Sequence, residues 1–117
     1  MKCVGTTTTK AEIERWKDEV LSSPQLDKLA AFLNLVGNST RLKIVFLLTE
    51  FKELCVCDLA QILDISVPAV SQQLAKLKAF GLLKSRRENQ TIFCSIADTR
   101  NVKLLKGRFG QILELPQ

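Results

Sequence analysis

The chain reads as a mainly α protein with a small β-hairpin, a winged helix-turn-helix. Three observations predict this. Two short helices with apolar stripes are separated by the turn Asp64-Ile65-Ser66. Gly81 closes the second of them, and glycine most readily supplies the left-handed residue that ends a helix. Two strand-like runs, Leu82 to Arg87 and Gln90 to Ala97, then flank the turn signal Glu88-Asn89.

The elements follow in order from their caps and periodicities. Residues 1–10, polar and rich in threonine, are expected to be a flexible arm, and 11–117 a single winged helix-turn-helix domain. From Lys10 to Leu21 the spacing of Ile13, Trp16, Val20 and Leu21 predicts a helix. Ser22-Ser23-Pro24 breaks it, and Pro24 suits the start of a second helix, about Gln25 to Val36. Ser39 or Thr40 is expected to cap a third helix, with Leu42, Val45, Phe46 and Leu48 turned to the core. After a short connection, a helix from about Cys57 to Leu63 buries Leu59, Ile62 and Leu63. Ser66 caps the next helix, Pro68 fits its first turn, and Val70, Leu74 and Leu77 form one buried stripe. The hairpin follows, then a last helix from about Asp98 to Leu113 with Asp98 as its cap.

Composition narrows the function. With 46% apolar residues in 117, the chain can bury a core, while its longest apolar run, near Ile44 to Leu48, is too short to span a bilayer. No signal-peptide stretch opens it, so a soluble, cytoplasmic protein with no membrane partner is expected. Residues 1–64 carry 8 basic and 9 acidic side chains, whereas residues 65–117 carry 9 basic and 3 acidic. That asymmetry directs the second half toward a polyanion. Histidine is absent, which excludes imidazole acid–base catalysis and imidazole metal sites. With no glycine-rich phosphate loop and no convergent carboxylate pair visible, an enzyme is not expected.

The second helix of the turn unit has the outer face a major groove requires. Ala69, Ser71, Gln72, Gln73, Lys76 and Lys78 lie on it. Ser71, Gln72 and Gln73 can hydrogen-bond base edges, with Ser66 at the helix start, while the lysines sit where phosphates would run. Arg86 and Arg87, near the hairpin tip, suit phosphate or minor-groove contact. Double-stranded operator DNA is therefore the expected partner, bound without a cofactor.

Just ahead of this unit stands Glu53-Leu54-Cys55-Val56-Cys57-Asp58-Leu59. Two thiols one residue apart can grip one soft cation. On a regular helix such residues are about 200° apart, so they can share an ion only if Cys55 is still outside the helix. The positive helix start favours anionic ligands there. Of the other cysteines, Cys3 lies in the arm, and Cys94, between Phe93 and Ser95 in the second strand, is expected to serve packing.

These segments, with Ser71-Gln72-Gln73-Leu74-Ala75-Lys76-Leu77 and Gly81-Leu82-Leu83, resemble the ArsR/SmtB family of metal-responsive repressors over about residues 25–113. The resemblance implies a homodimer built on the first and last helices, whose apolar faces carry Trp16, Val20, Leu104, Leu105 and Ile112, and a repressor that leaves its operator when metal binds. It implies a metal site at Cys55 and Cys57. The third cysteine of arsenic-sensing members is here Ala60; in cadmium- and lead-sensing members an arm cysteine of the partner completes the site, a role that fits Cys3. The family's zinc site on the last helix maps to Asp98, Arg100, Gln111 and Glu114, a set unsuited to zinc, and the histidine usual on its recognition helix is Gln73. Three thiolates favour As(III), Sb(III), Bi(III), Pb(II), Hg(II), or Cd(II) with an added ligand. Two rival functions share the scaffold: a thiol redox sensor that releases DNA on forming a disulfide, and a regulator indifferent to metal.

Overall fold

The computed structural model describes residues 7–114, with side chains through Gln111. The elements are α1 (Lys10–Leu21), α2 (Pro24–Val36), α3 (Ser39–Glu50), β1 (Leu54–Cys55), α4 (Val56–Leu63), α5 (Val67–Phe80), β2 (Leu83–Glu88), β3 (Thr91–Ile96) and α6 (Thr99–Glu114). The contacts divide the chain into two compact units, residues 1–31 and 32–117.

The first unit holds α1 and the start of α2. Thr9, in extended backbone, caps α1 by accepting the Glu12 N–H at 3.2 Å. Ser23 does the same for α2, accepting from Leu26 at 3.1 Å, and Pro24 opens that helix. α1 buries no residue; Ile13, Trp16 and Val20 are each at least half exposed. The Arg15 guanidinium lies 5.2 Å from the Trp16 ring centre.

The second unit carries the core. Phe32 and Val36 at the end of α2 join Ile44, Val45 and Leu48 of α3, Leu59 of α4, Val70, Leu74 and Leu77 of α5, and Cys94 of β3. Phe46 packs edge-on against Phe109 of α6, with ring centres 5.1 Å apart. Asp98 caps α6, its carboxylate accepting the Arg100 and Asn101 backbone N–H groups. Leu104 is exposed and Leu105 half-buried, while the Ile112 side chain lies outside the described residues. Among the described residues no single helix is long and apolar enough to cross a membrane.

Four sequence expectations are corrected. Asn38, not Ser39 or Thr40, caps α3: its backbone is extended and its side chain accepts the Arg41 N–H at 3.1 Å. Ile44 is fully buried while Leu42 and Phe46 are half-buried, because α3 turns its 44-45-48 stripe inward. In α4 the buried stripe is Leu59 and Ala60, which leaves Ile62 51% exposed. The hairpin tip falls one residue later than expected. Glu88 stays in the ladder opposite Thr91, and Asn89 turns the chain at φ 56°, a left-handed conformation asparagine tolerates.

The hairpin also gains a strand. The sheet is antiparallel in the order β1-β3-β2, with Leu54 opposite Cys94 and Cys55 opposite Phe93. β1 therefore docks the connection that carries the cysteine pair onto the wing.

Two substitutions test this packing by denaturant unfolding. Leu77→Ala, at a fully buried position, is expected to lower stability by about 2–5 kcal/mol. Asn38→Ala, which removes the α3 cap, is expected to lower it by about 1 kcal/mol.

Candidate nucleic-acid interface and thiol site

The turn between α4 and α5 is built from two local preferences. Asp64 ends α4 in left-handed backbone, φ 55°, and Ser66 opens α5 by accepting the Ala69 N–H at 3.2 Å. Gly81, at φ 92°, closes α5 in a conformation that side chains other than glycine resist. With Val70, Leu74 and Leu77 buried, α5 leaves Ser71, Gln72 and Lys76 exposed and Ala69 and Gln73 half-buried.

Gln73 is not the free outward amide the sequence suggests. Its Oε1 accepts a hydrogen bond from Arg41 Nη1 at 2.9 Å, while Arg41 Nε donates to the Leu35 carbonyl at 2.6 Å. Arg41 thus ties the last turn of α2 to the middle of α5. Sequence reasoning missed it because the two partners are 32 residues apart and an arginine on a surface helix carries no sign of them.

Arg86 is likewise engaged within the protein. Its guanidinium lies 4.5 Å from the Phe93 ring centre and donates from Nε to Glu53 Oε2 at 3.0 Å and from Nη1 to Glu88 at 2.9 Å. A third bond runs from Nη2 to Glu53 Oε1. A fork-to-fork pair of this kind is the strongest form of a carboxylate–guanidinium contact. It holds the Glu53 carboxyl below the usual carboxylate range and raises the Arg86 guanidinium further. Arg87, opposite Ile92, is exposed. Lys78 reaches Ser85 Oγ at 3.5 Å, joining α5 to the wing.

The two cysteines of the box flank the start of α4. Cys55 is the cap, with extended backbone (φ −77°, ψ 155°), and its sulfur accepts the Asp58 N–H at 3.4 Å. Because Cys55 lies outside the helix, the 200° helical offset does not separate it from Cys57. Both line one cleft of about 200 Å³, walled by Val56, Val67, Ser71, Gln90, Thr91 and Ile92. Cys57 is exposed and Cys55 half-buried. Cys94 is 1% exposed in the core, and burial pushes its thiol pKa up, with Lys78 opposing.

Two cysteines line this cleft, and thiolates are soft donors. Among the described residues, no group of three or more Cys, His, Asp or Glu gathers around a point. A third protein ligand would have to come from elsewhere; Cys3 lies outside the described residues. The positions of the zinc site on α6 are otherwise engaged: Asp98 caps the helix, its other oxygen accepts from the Asn101 amide at 2.8 Å, and Gln111 accepts from Arg108. The side chain of Glu114 lies outside the described residues.

Recognition helix, three-stranded wing and thiol pair together define a winged helix-turn-helix regulator. Residues 38–85 match the model of the bacterial regulatory protein arsR family. The chain is 32% identical over 103 residues to the cadmium resistance transcriptional regulatory protein CadC of Listeria innocua, covering 88% of this chain and 83% of the relative. It is 47% identical over 58 residues to the arsenical resistance operon repressor of Escherichia coli, half of each chain. The homodimeric winged helix-turn-helix domain of Mb0332 from Mycobacterium bovis superposes with a TM-score of 0.63 at 27% identity, over 82% of each chain. The chain belongs to the ArsR/SmtB family of transcriptional regulators.

The Arg86 contacts predict a pH signature. A depressed carboxyl contributes stability above its unfolded pKa and loses it as pH falls through the folded value. Carbon-detected NMR titration is expected to show Glu53 deprotonating below the ordinary glutamate range in wild type and returning to it in Arg86→Gln. Amide exchange in β3 is expected to quicken in that variant, with little change in global unfolding, since the pair is exposed.

Proposed function

We propose that the protein is a cytoplasmic, metal(loid)-responsive transcriptional repressor that binds operator DNA as a homodimer. Its grip is lost when a soft ion — As(III), Sb(III), Pb(II), Cd(II) or Bi(III) — is held by Cys55 and Cys57, with Cys3 of the arm as third ligand. The observation that carries this reading is the shared cleft: the two thiols, the first turn of α5 and the start of β3 all line it. Relatives named for cadmium and arsenical resistance support the ligand class.

In this reading Ser66, Ala69, Ser71, Gln72 and Lys76 face the major groove, with Gln73 presented through Arg41. Arg87 meets the backbone, while Arg86 positions the wing. Bound thiolate to thiolate, a soft ion supplies strong, directional sulfur bonds. On the protein side, Cys55 already caps α4 and already pairs with Phe93 of the wing. A change in what its sulfur holds is therefore felt at the entry to the turn unit and in the hairpin at once. Couplings between sites are typically ~1–3 kcal/mol, or about 5- to 150-fold in affinity, sufficient to empty an operator. The exposed apolar face of α1, with Trp16 and Val20, and the homodimeric relative support the dimer.

Gel shift on a duplex selected from random sequence tests the proposal. Release by As(III), Pb(II) or Cd(II) is expected in wild type and in Cys94→Ser, and is expected to vanish in Cys55→Ser/Cys57→Ser. Undiminished binding with every ion, or release only by peroxide, would sink the metal reading.

A further inference from the structure

A glutamine that reads adenine uses both ends of its amide: the oxygen accepts from the base's N6 amino group and the nitrogen donates to N7. Gln73 has one of those ends already engaged. Its Oε1 accepts from Arg41 Nη1 at 2.9 Å. A guanidinium has donors and no acceptor, so the amide is held with its oxygen toward Arg41 and its nitrogen away. Arg41 is itself fixed at two further points. Its Nε donates to the Leu35 carbonyl at 2.6 Å, and its backbone N–H donates to Asn38 Oδ1 at 3.1 Å.

The nitrogen end is open. Gln73 is half-buried, yet no described residue accepts from its Nε2, and among the described residues no buried side-chain nitrogen or oxygen is left without a partner. Nε2 therefore reaches solvent. Resting on the operator-binding reading above, we propose that Arg41 is a positioning residue for base recognition: it makes Gln73 a donor-only reader that selects guanine over adenine at the base pair it meets.

The base edges decide this preference. Guanine shows two neighbouring acceptors, O6 and N7, in the major groove, and both suit an amide NH₂. Adenine sets its N6 donor beside N7, thymine shows one acceptor beside a methyl group, and cytosine shows only a donor. An adenine amino group brought to Oε1 approaches the full positive charge of Arg41. Left without an acceptor in a closed interface, that amino group costs more than a contact merely absent. The Arg41 bond is also charge-assisted, and an amide polarised through its oxygen is the stronger donor at its nitrogen.

Duplexes selected from random sequence by the full chain, with no ion added, test the proposal; enriched sequences are counted and then ranked by gel shift. The position that Gln73 reads is the one whose preference Gln73→Ala flattens. There wild type is expected to favour guanine over adenine about fivefold, the lower end of the range for a base-edge contact. Arg41→Met removes the donors and keeps the stem; it is expected to raise adenine at the expense of guanine there and to leave the other positions as they are. Gln73→Glu replaces the donor with a second acceptor and keeps a partner for Arg41; it is expected to turn the preference to cytosine, and it decides the question if Arg41→Met does not fold. A wild type that favours any base but guanine, a guanine-to-adenine ratio undiminished in folded Arg41→Met, a Gln73→Glu protein that does not turn to cytosine, or no position flattened by Gln73→Ala would each overturn the proposal and leave the regulator reading standing. If wild type selects no sequence at all, both fall.

Discussion

The backbone pairing of Leu54 and Cys55 with Phe93 and Cys94 is the constraint on which the functional geometry depends. Backbone N–H and C=O groups must find partners when they leave water, and a two-residue strand meets that need by adding itself to the hairpin edge. In doing so it sets Leu54 into the core, places Cys55 as cap of α4 and brings Glu53 within reach of Arg86. The thiols, the entry to the turn unit and the wing thereby share one rigid junction. None of these neighbours is close in sequence to the others.

A second tie works from the opposite side. Arg41 donates to the Leu35 carbonyl and to Gln73, so the recognition helix is held against α2 and α3 by a charged, half-buried donor. A guanidinium in fork geometry fixes both position and angle, which a lysine ammonium would not. The apolar stripe of Val70, Leu74 and Leu77 fixes the depth of α5. Arg41 and the stripe together decide which polar side chains are left to face outward, and Gln73 is the one whose availability they limit.

Most of the helices were legible because local signals mark them: Pro24, Ser66 and Asp98 at their starts, Gly81 after α5, and apolar spacing within. The recognition helix and the separation of Cys55 from the α4 helix could be read for the same reason. What could not be read depends on long-range register. β1 is too short to show alternation, so the third strand was invisible, and with it the Glu53–Arg86 pair and the fate of Arg86. Ile44 and Ala60 were missed because a helix packed on more than one side buries a wider arc than a simple stripe predicts. The cleft beside the thiols arises from three elements distant in sequence, and no motif announces it.

Arg86 also bears on how the wing meets a polyanion. Its charge is answered within the protein by Glu53 and Glu88, leaving Arg87 and Lys84 as the cations of β2 with no carboxylate partner among the described residues. Each phosphate neutralised by a protein cation displaces a condensed counterion and steepens the dependence of affinity on salt by about 0.9 in the logarithmic slope. A wing that answers one of its own arginines releases fewer counterions on contact. Its hold on a duplex would rest more on shape and less on the ionic strength of its surroundings than its count of arginines and lysines suggests.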